Sequence, residues 1–273
     1  MSALNYCRTG FMPENPDSPA CPWSSLQNEL DSWSDSGTRA TFWWRDDDAV
    51  EQTPQLLRLD ELSQQLQLPV SIAAIPSLLQ KSLPRYLRDK NNIKILQHGY
   101  SHTSHAASGV KKIEIGGNRS TEEIQAELAT GFTLLHDNFG NQFLPVLVPP
   151  WNRIESRTYT ALVKAGFSGV SSMWARASAC PVENLLQVNA HLDPVNWRGD
   201  RGFIGESRSI EYIRDHLHAR RTGTKDTTEP TGILSHHLSQ DERVWDFISK
   251  LMLTLKQHPA VEWLDAGTIW SKA

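Results

Sequence analysis

The segment "TFWWRDDD", Thr41 to Asp48, joins a run of large apolar side chains to one arginine and three consecutive aspartates. The apolar and aromatic part predicts a buried β-strand. Three adjacent carboxylates repel one another, so their position directly after a strand needs an explanation. Two are open: a solvated turn that ends the strand, or a site where a divalent cation balances the negative charge.

The same kind of segment recurs along the chain. Further β-like runs are predicted at 69–76, 93–98, 143–150, 168–172, 185–193, 232–237 and 261–266. Amphipathic helical patterns separate them, at 54–67, from about Thr121 with "STEE" as a capping box, and at 154–166, 206–221 and 239–257. Strands that alternate with helices and are almost continuously apolar predict a parallel sheet covered by helices. Seven or eight such units in about 230 residues favour a (β/α) barrel over an open sheet.

The chain of 273 residues is expected to form one main domain. Residues 1–38 are predicted to be an irregular arm with a short helix from Ser24 or Ser25 to about Trp33, and residues 39–273 to be the barrel. A net charge of −4 without a basic run argues against a nucleic-acid-binding surface.

Location and redox state are also predicted from the sequence. No apolar stretch approaches the roughly 18–20 residues that span a bilayer. The first residues do not resemble a secretory signal peptide. The three cysteines are widely spaced and form no CxxC motif, which favours reduced thiols and a cytoplasmic location.

Polar side chains follow the predicted strands where each one ends, at the edge of a barrel that carries active sites. His98 and His102 are four residues apart, so a helical turn after the strand would place both imidazoles on one side. Two histidines and one carboxylate are a common ligand set for a catalytic divalent metal, and an aspartate from 46–48 would complete it. A direct role for His105 is left open.

Metal-assisted hydrolysis also needs a general base and a proton donor. A second aspartate of the triplet would accept the proton of the attacking water. His236 or His237, at the end of a later predicted strand, would donate a proton to the leaving group.

The order of these motifs resembles the polysaccharide deacetylase family, carbohydrate esterase family 4. The corresponding segments are "WRDDD" (44–48), "HGYSH" (98–102), "VPPW" (148–151), "DPVNW" (193–197) and "LSH" (234–236). The resemblance implies an irregular (β/α) barrel of about seven strands. The implied reaction is removal of an acetyl group from an N-acetylated or O-acetylated sugar or glycan precursor. The implied cofactor is one divalent ion, zinc in the first place, with cobalt, nickel and manganese as alternatives.

By position, the resemblance assigns a role to each motif residue. Asp46 corresponds to the general base, and His236 to the general acid. The backbone N–H of Trp151 corresponds to the oxyanion donor. The implied metal ligands are Asp47, His98 and His102.

The sequence also departs from the family pattern. Asp48 stands in place of a glycine, Gly99 in place of serine or threonine, Val148 in place of an arginine, and Asn196 in place of an aspartate. The missing arginine is expected to be replaced by Arg45 or Arg153, with Asp193 as a partner.

Substrate contacts are predicted at Pro150, Arg153 and Trp197. Tryptophan rings beside the motifs could stack on a sugar, but core packing is expected for at least two of Trp43, Trp44, Trp151 and Trp197. Two alternatives remain open: hydrolysis of another C–N bond, as in a cyclic imide or ureide, and a carbohydrate-binding or regulatory protein that has lost activity.

Overall fold

Eight strands form the centre of the molecule, in a computed structural model that describes residues 21–271. The part of the predicted arm before residue 21 lies outside the described residues. Each of the eight predicted runs contains a strand: β1 (Ala40–Ala49), β2 (Val70–Ala74), β3 (Ile93–His98), β4 (Phe143–Val148), β5 (Gly169–Val170), β6 (Leu186–Gln187), β7 (Thr231–Ser235) and β8 (Val261–Trp263).

The strands form a parallel sheet in the order β6-β5-β4-β3-β2-β1-β7, and β8 pairs with the start of β1. The chain after β6 joins the two ends of this order. His191 N–H donates to the Gly232 carbonyl of β7 at 2.7 Å, and Leu234 N–H donates to the Leu192 carbonyl at 2.8 Å. The sheet therefore curls into an irregular ring, and the predicted (β/α) barrel is confirmed.

Helices cover the outside of the sheet. Their bounds are α1 (Pro22–Asp35), α2 (Pro54–Leu66), α3 (Ser82–Leu87), α4 (Thr121–Phe139), α5 (Tyr159–Lys164), α6 (Glu206–Arg221), α7 (Glu242–Gln257) and α8 (Ala266–Trp270). The predicted capping box at the start of α4 is present, between Ser120 and Glu123. Helix α1 packs on α6, where Arg221 donates to the Glu29 carboxylate at 2.7 and 2.9 Å. None of the helices within residues 21–271 is long and apolar enough to cross a membrane.

Side chains alternate between two cores along β1. Phe42 and Trp44 belong to the large core between the sheet and the helices. Trp43 belongs to a smaller core inside the ring, with Leu96 and Val148 of neighbouring strands. Both indoles are fully buried, so Trp43 and Trp44 are core residues and do not line a sugar subsite. Odd-numbered residues of β1 thus point into the ring and even-numbered ones toward the helices.

This alternation is interrupted by a β-bulge at the end of β1. Asp46 pairs with Ile72 and Ala49 with Ala74, so β1 has one more residue than β2 between these two pairs. Asp48 has φ 77°, in the left-handed region. A bulge re-aims the side chain at the extra residue, and bulges are common beside active sites.

Candidate metal centre

Asp48, His98 and His102 bring their side chains together at the carboxyl ends of β1 and β3. Asp48 Oδ1 lies 3.1 Å from His98 Nε2 and 3.4 Å from His102 Nε2. One ligand atom from each of the three residues lies within 4.8 Å of those of the other two. Two imidazoles and one carboxylate are a donor set that suits a divalent transition metal.

The orientation of His98 is fixed by its second ring nitrogen. His98 is the last residue of β3, and its Nδ1–H donates to the Val148 carbonyl of the adjacent β4 at 3.0 Å. In the neutral ring this bond leaves Nε2, the nitrogen that faces Asp48, available to a metal. An outer hydrogen bond of this kind is usual for a metal-binding histidine.

His102 reaches the site without the helical turn that its spacing suggested. The chain leaves β3 in an irregular loop, in which Gly99 has φ 57° and His102 has φ 56°. The fully buried Glu114 carboxylate accepts the N–H groups of Tyr100, Ser101 and His102 at 3.1, 2.7 and 3.2 Å. Glu114 therefore holds the loop that carries the second histidine.

Glu114 was not predicted as a site residue. The sequence signal for it is weak: a single carboxylate in the loop segment "KKIEIGG". Gly99 is part of the same arrangement, because a Cβ at this residue would lie 2.1 Å from Glu114 Oε2. The glycine that replaces serine or threonine in the second motif thus makes room for this carboxylate.

The charges of the three residues favour an ionised carboxylate. Burial by itself raises the pKa of Asp48, but hydrogen bonds with His236 and His98 outweigh it, and the pKa is lowered. The pKa of His102 is lowered by burial and by the neighbouring His98. Burial opposes protonation of His98, yet the charge of Asp47 and the bond to Asp48 raise its pKa.

Asp47 lies next to this group but binds an arginine. Arg45 and Asp47 are two residues apart on the interior face of β1, with Arg45 Nε 3.0 Å from Asp47 Oδ1 and Nη2 3.1 Å from Oδ2. Arg45 also crosses the ring, donating to Ser171 Oγ at 2.7 Å and to Asn152 Oδ1 at 2.5 Å. Arg45 is therefore the cation beside the aspartates, and Arg153 is not: its Nη1 donates to the Lys112 carbonyl.

Asp46 points away from the metal-binding group, toward the helices. Its carboxylate is fully buried and accepts from Ser235 Oγ at 2.5 Å and from His237 N–H at 3.1 Å. His237 Nδ1 also bonds to Asp46. The structure thus brings Asp47 and Asp48 to the histidines, and separates Asp46 from them.

His236, the residue directly after β7, completes the site. Its Nδ1 lies 3.4 Å from Asp48 Oδ2, and its Nε2 lies 3.3 Å from Asp193 Oδ2. Asp193 accepts from Trp197 Nε1 at 2.7 Å, and the Trp197 ring lies edge-on to His236 at 4.8 Å. Asp193 therefore pairs with His236, and the expected pairing with Arg45 or Arg153 is wrong. Although burial lowers the pKa of His236, Asp193 and Asp48 raise it well above its ordinary value.

The remaining predicted residues lie on the rim. Trp151 has φ 55° in the turn after β4, and its ring lies 4.5 Å from that of His102. Pro150 is buried against the Gly99 loop. Trp197 is 43% exposed, so its ring is accessible beside His236.

A second group of possible ligands, His191, His216 and Glu229, is buried between α6 and β7. The two imidazoles are stacked with centroids 3.4 Å apart. Burial lowers the pKa of both histidines. The charges of Arg220 and Arg176 lower the pKa of His191 further, and those of His191 and Arg220 lower that of His216. Two guanidinium groups so close make this group unfavourable for a cation.

Comparison with protein families and with curated proteins finds no match to this sequence. Solved structures do match. A protein of Mycobacterium smegmatis assigned as a polysaccharide deacetylase superposes with a TM-score of 0.61 and 14% identity, over 86% of this chain and 90% of the other.

Two further structures carry the family name. A family 4 acetyl xylan esterase from Clostridium thermocellum, in complex with a cobalt ion, has a TM-score of 0.53 and 15% identity over 85% of this chain and 91% of its own. A mutant of a carbohydrate esterase family 4 pseudoenzyme with restored activity has a TM-score of 0.51 and 13% identity, over 85% of this chain and 68% of its own. The chain therefore has the fold of the polysaccharide deacetylases of carbohydrate esterase family 4.

Proposed function

We propose that this protein is a metal-dependent hydrolase that removes an acetyl group from an N-acetylated or O-acetylated saccharide. The observation that supports it best is the convergence of Asp48, His98 and His102 beside an aspartate held by Arg45. A histidine held by Asp193 lies against the same group. These are the parts that metal-assisted acyl hydrolysis needs: a ligand set, a base and a proton donor.

The aspartates take roles one residue later than the motif resemblance implied. We assign the metal-binding carboxylate to Asp48 in place of Asp47, and the general base to Asp47 in place of Asp46. The bulge is the physical reason, since it turns Asp48 back to the ring interior while Asp46 stays on the helix side.

A divalent cation held by Asp48, His98 and His102 would polarise the acyl carbonyl and lower the pKa of a bound water. Asp47 is proposed to accept a proton from the attacking water, and the guanidinium of Arg45 to orient its carboxylate. The backbone N–H of Trp151 is proposed to donate to the developing oxyanion.

His236 is proposed to protonate the departing amine or alcohol. The raised pKa keeps its imidazole protonated, and Asp193 orients it. The ion is proposed to be zinc, with cobalt, nickel and manganese as alternatives, because nitrogen and oxygen donors suit all four. Substrate contacts are proposed at Trp197, Pro150 and Arg153.

The test compares three single variants, Asp46→Asn, Asp47→Asn and Asp48→Asn, for metal content and for acetate release from N-acetylated and O-acetylated saccharides. We expect Asp48→Asn to lose the metal, and Asp47→Asn to keep the metal while losing turnover. Asp46→Asn is expected to keep both, with reduced thermal stability.

Other results would redirect the assignment. Loss of turnover in Asp46→Asn, with an active Asp47→Asn, would restore the roles implied by the motif. Stoichiometric metal without acetate release would point to a carbohydrate-binding protein. Turnover of a cyclic imide or ureide, and of no acetylated saccharide, would support the other C–N hydrolase.

A further inference from the structure

Two cationic side chains lie on the rim next to the metal-binding group. Lys112 is in the exposed loop between β3 and α4, and its Nζ lies 5.7 Å from the centre of the Trp151 ring. The same ring lies 4.5 Å from that of His102. The Lys112 ammonium is thus separated from a proposed metal ligand by a single aromatic ring.

Arg153 is tied to the same place. Its Nη1 donates to the Lys112 carbonyl at 2.9 Å, so its guanidinium is held against the lysine backbone. The next residues support this arrangement, since Ile154 and Ile115 form a parallel β-bridge and Glu155 N–H donates to the Ile115 carbonyl. Two adjacent segments, joined by this bond and by the bridge, therefore carry the two cations.

Neither cation is neutralised within the part of the chain that the structure describes. The nearby carboxylates have other partners: Glu114 accepts from the His102 loop, and Glu155 pairs with Arg157 at 2.6 Å. Within residues 21–271, no carboxylate lies within ion-pair distance of Lys112 or Arg153. By contrast, Arg119 pairs with Glu127, and Arg157 with Glu155. Neighbouring like charges are unfavourable unless an anion joins them.

We propose that Lys112 and Arg153 form an anion subsite, and that the substrate is a saccharide with a phosphate or carboxylate group near its acetyl group. The acetyl group in this inference rests on the proposed function. The anion subsite rests on Lys112 and Arg153 alone. The chain as a whole carries a net charge of −4, so an uncompensated cationic pair beside the site indicates specificity and not a generally basic surface. A guanidinium and an ammonium are the usual partners of such anions.

The experiment measures kcat/KM for three acetylated sugars: N-acetylglucosamine, N-acetylglucosamine 1-phosphate and N-acetylglucosaminuronic acid. The first is neutral, and the other two separate a phosphate from a carboxylate as the recognised anion. Lys112→Met and Arg153→Gln remove one charge each while keeping most of the side-chain length. Lys111→Ala is the matched control, because it removes the exposed cation next along the chain.

We expect one of the anionic sugars to be preferred over the neutral one by at least about tenfold, and each subsite variant to lower that preference by about tenfold. Lys111→Ala should leave it unchanged, and metal content should be equal in all variants. Equal kcat/KM for the three sugars, or a preference that survives both variants, would overturn the subsite.

Binding of N-acetylglucosamine 1-phosphate and of N-acetylglucosaminuronic acid to metal-free protein, measured by calorimetry, separates this inference from the proposed function. If the wild type binds either one and Lys112→Met does not, the subsite stands even in a protein without turnover. If acetylated sugars are hydrolysed but neither anionic sugar binds more tightly than N-acetylglucosamine, the hydrolase stands and the subsite is wrong.

Discussion

Substitution of Gly99 by alanine tests whether Glu114 positions the second metal-binding histidine. Gly99 has φ 57°, and its missing Cβ would lie 2.1 Å from Glu114 Oε2 and 2.6 Å from Pro150 Cγ. Since Glu114 is fully buried and Pro150 is rigid, the added methyl group has to displace the carboxylate. The carboxylate would then no longer accept the N–H groups of Tyr100, Ser101 and His102 in their present positions.

Two costs add up in this variant. An alanine in the left-handed region costs about 1 kcal/mol relative to glycine. Weakening one of the hydrogen bonds to a buried carboxylate costs about 1.5–3 kcal/mol more. We therefore expect Gly99→Ala to lower the free energy of unfolding by about 3 kcal/mol. Metal affinity should fall by about 10–100-fold, the usual effect of losing an outer partner of a metal ligand.

Gly109→Ala is the matched control. Gly109 lies in the same loop and has φ 79°, but nothing lies within 4 Å of a Cβ built on it. This variant measures the backbone cost alone, so it should lose about 1 kcal/mol and keep its metal affinity. Urea unfolding of the metal-free proteins gives the stability difference, and competition with a chelator gives the dissociation constant for zinc.

Glu114→Gln completes the test, because its amide cannot accept all of these N–H groups. It should weaken zinc binding like Gly99→Ala, and the two substitutions together should weaken it little more than either alone. Equal metal affinity in Gly99→Ala and Gly109→Ala would refute the positioning role of Glu114. Fully additive effects on metal affinity would show that Gly99 acts by another route.

Three further predictions concern other parts of the molecule. Burial, together with the charges of His191 and Arg220, lowers the pKa of His216 to about 2, whereas the pKa in the unfolded chain is about 6.5. Below pH 6.5 the unfolded state therefore binds a proton that the folded state does not, and the free energy of unfolding should fall by about 1.4 kcal/mol per pH unit more in the wild type than in His216→Gln. Urea unfolding in the presence of chelator measures this difference. An absent difference in slope would show that His216 is protonated in the folded protein. Arg45→Lys keeps the charge but loses the two-point contact with Asp47, so kcat should fall at least about tenfold while metal content stays unchanged. An unchanged kcat would exclude Arg45 as the residue that orients the base. A Cβ on Gly232, where the ring closes, would lie 2.5 Å from both the Asn189 carbonyl oxygen and Trp43 Nε1. Gly232→Ala should therefore lower the free energy of unfolding by about 1–3 kcal/mol. An unchanged midpoint of urea unfolding would contradict the tight closure.

Much of the fold follows from local patterns. Apolar runs such as Ile93–His98 and helical periodicities such as that of Thr121–Phe139 depend on residues close in sequence, so all eight strands are predicted at their places. The carboxyl-end position of the polar residues follows as well, because parallel strands meet at one edge of a barrel. The sequence alone therefore brings the aspartate triplet, His98, His102 and His236 to a common rim.

The roles within the triplet depend on the tertiary structure. Strict alternation along β1 predicts that Asp46 and Asp48 share a face, and only the pairing of β1 with β2 places an extra residue between Asp46 and Ala49. That bulge turns Asp48 to the histidines and leaves Asp46 bound to His237.

Arg45 was one of two predicted cations, but its contacts across the ring and the role of Glu114 do not follow from local patterns. Arg45 reaches residues after β4 and β5 by crossing the ring, and Glu114 reaches back to Tyr100, Ser101 and His102 within the loop. Such contacts arise from how the ring curves and how a loop folds on itself, which no periodicity in the sequence encodes. The sequence by itself determined which elements form and which residues gather at the rim, and the three-dimensional strand pairing decided which aspartate meets the histidines.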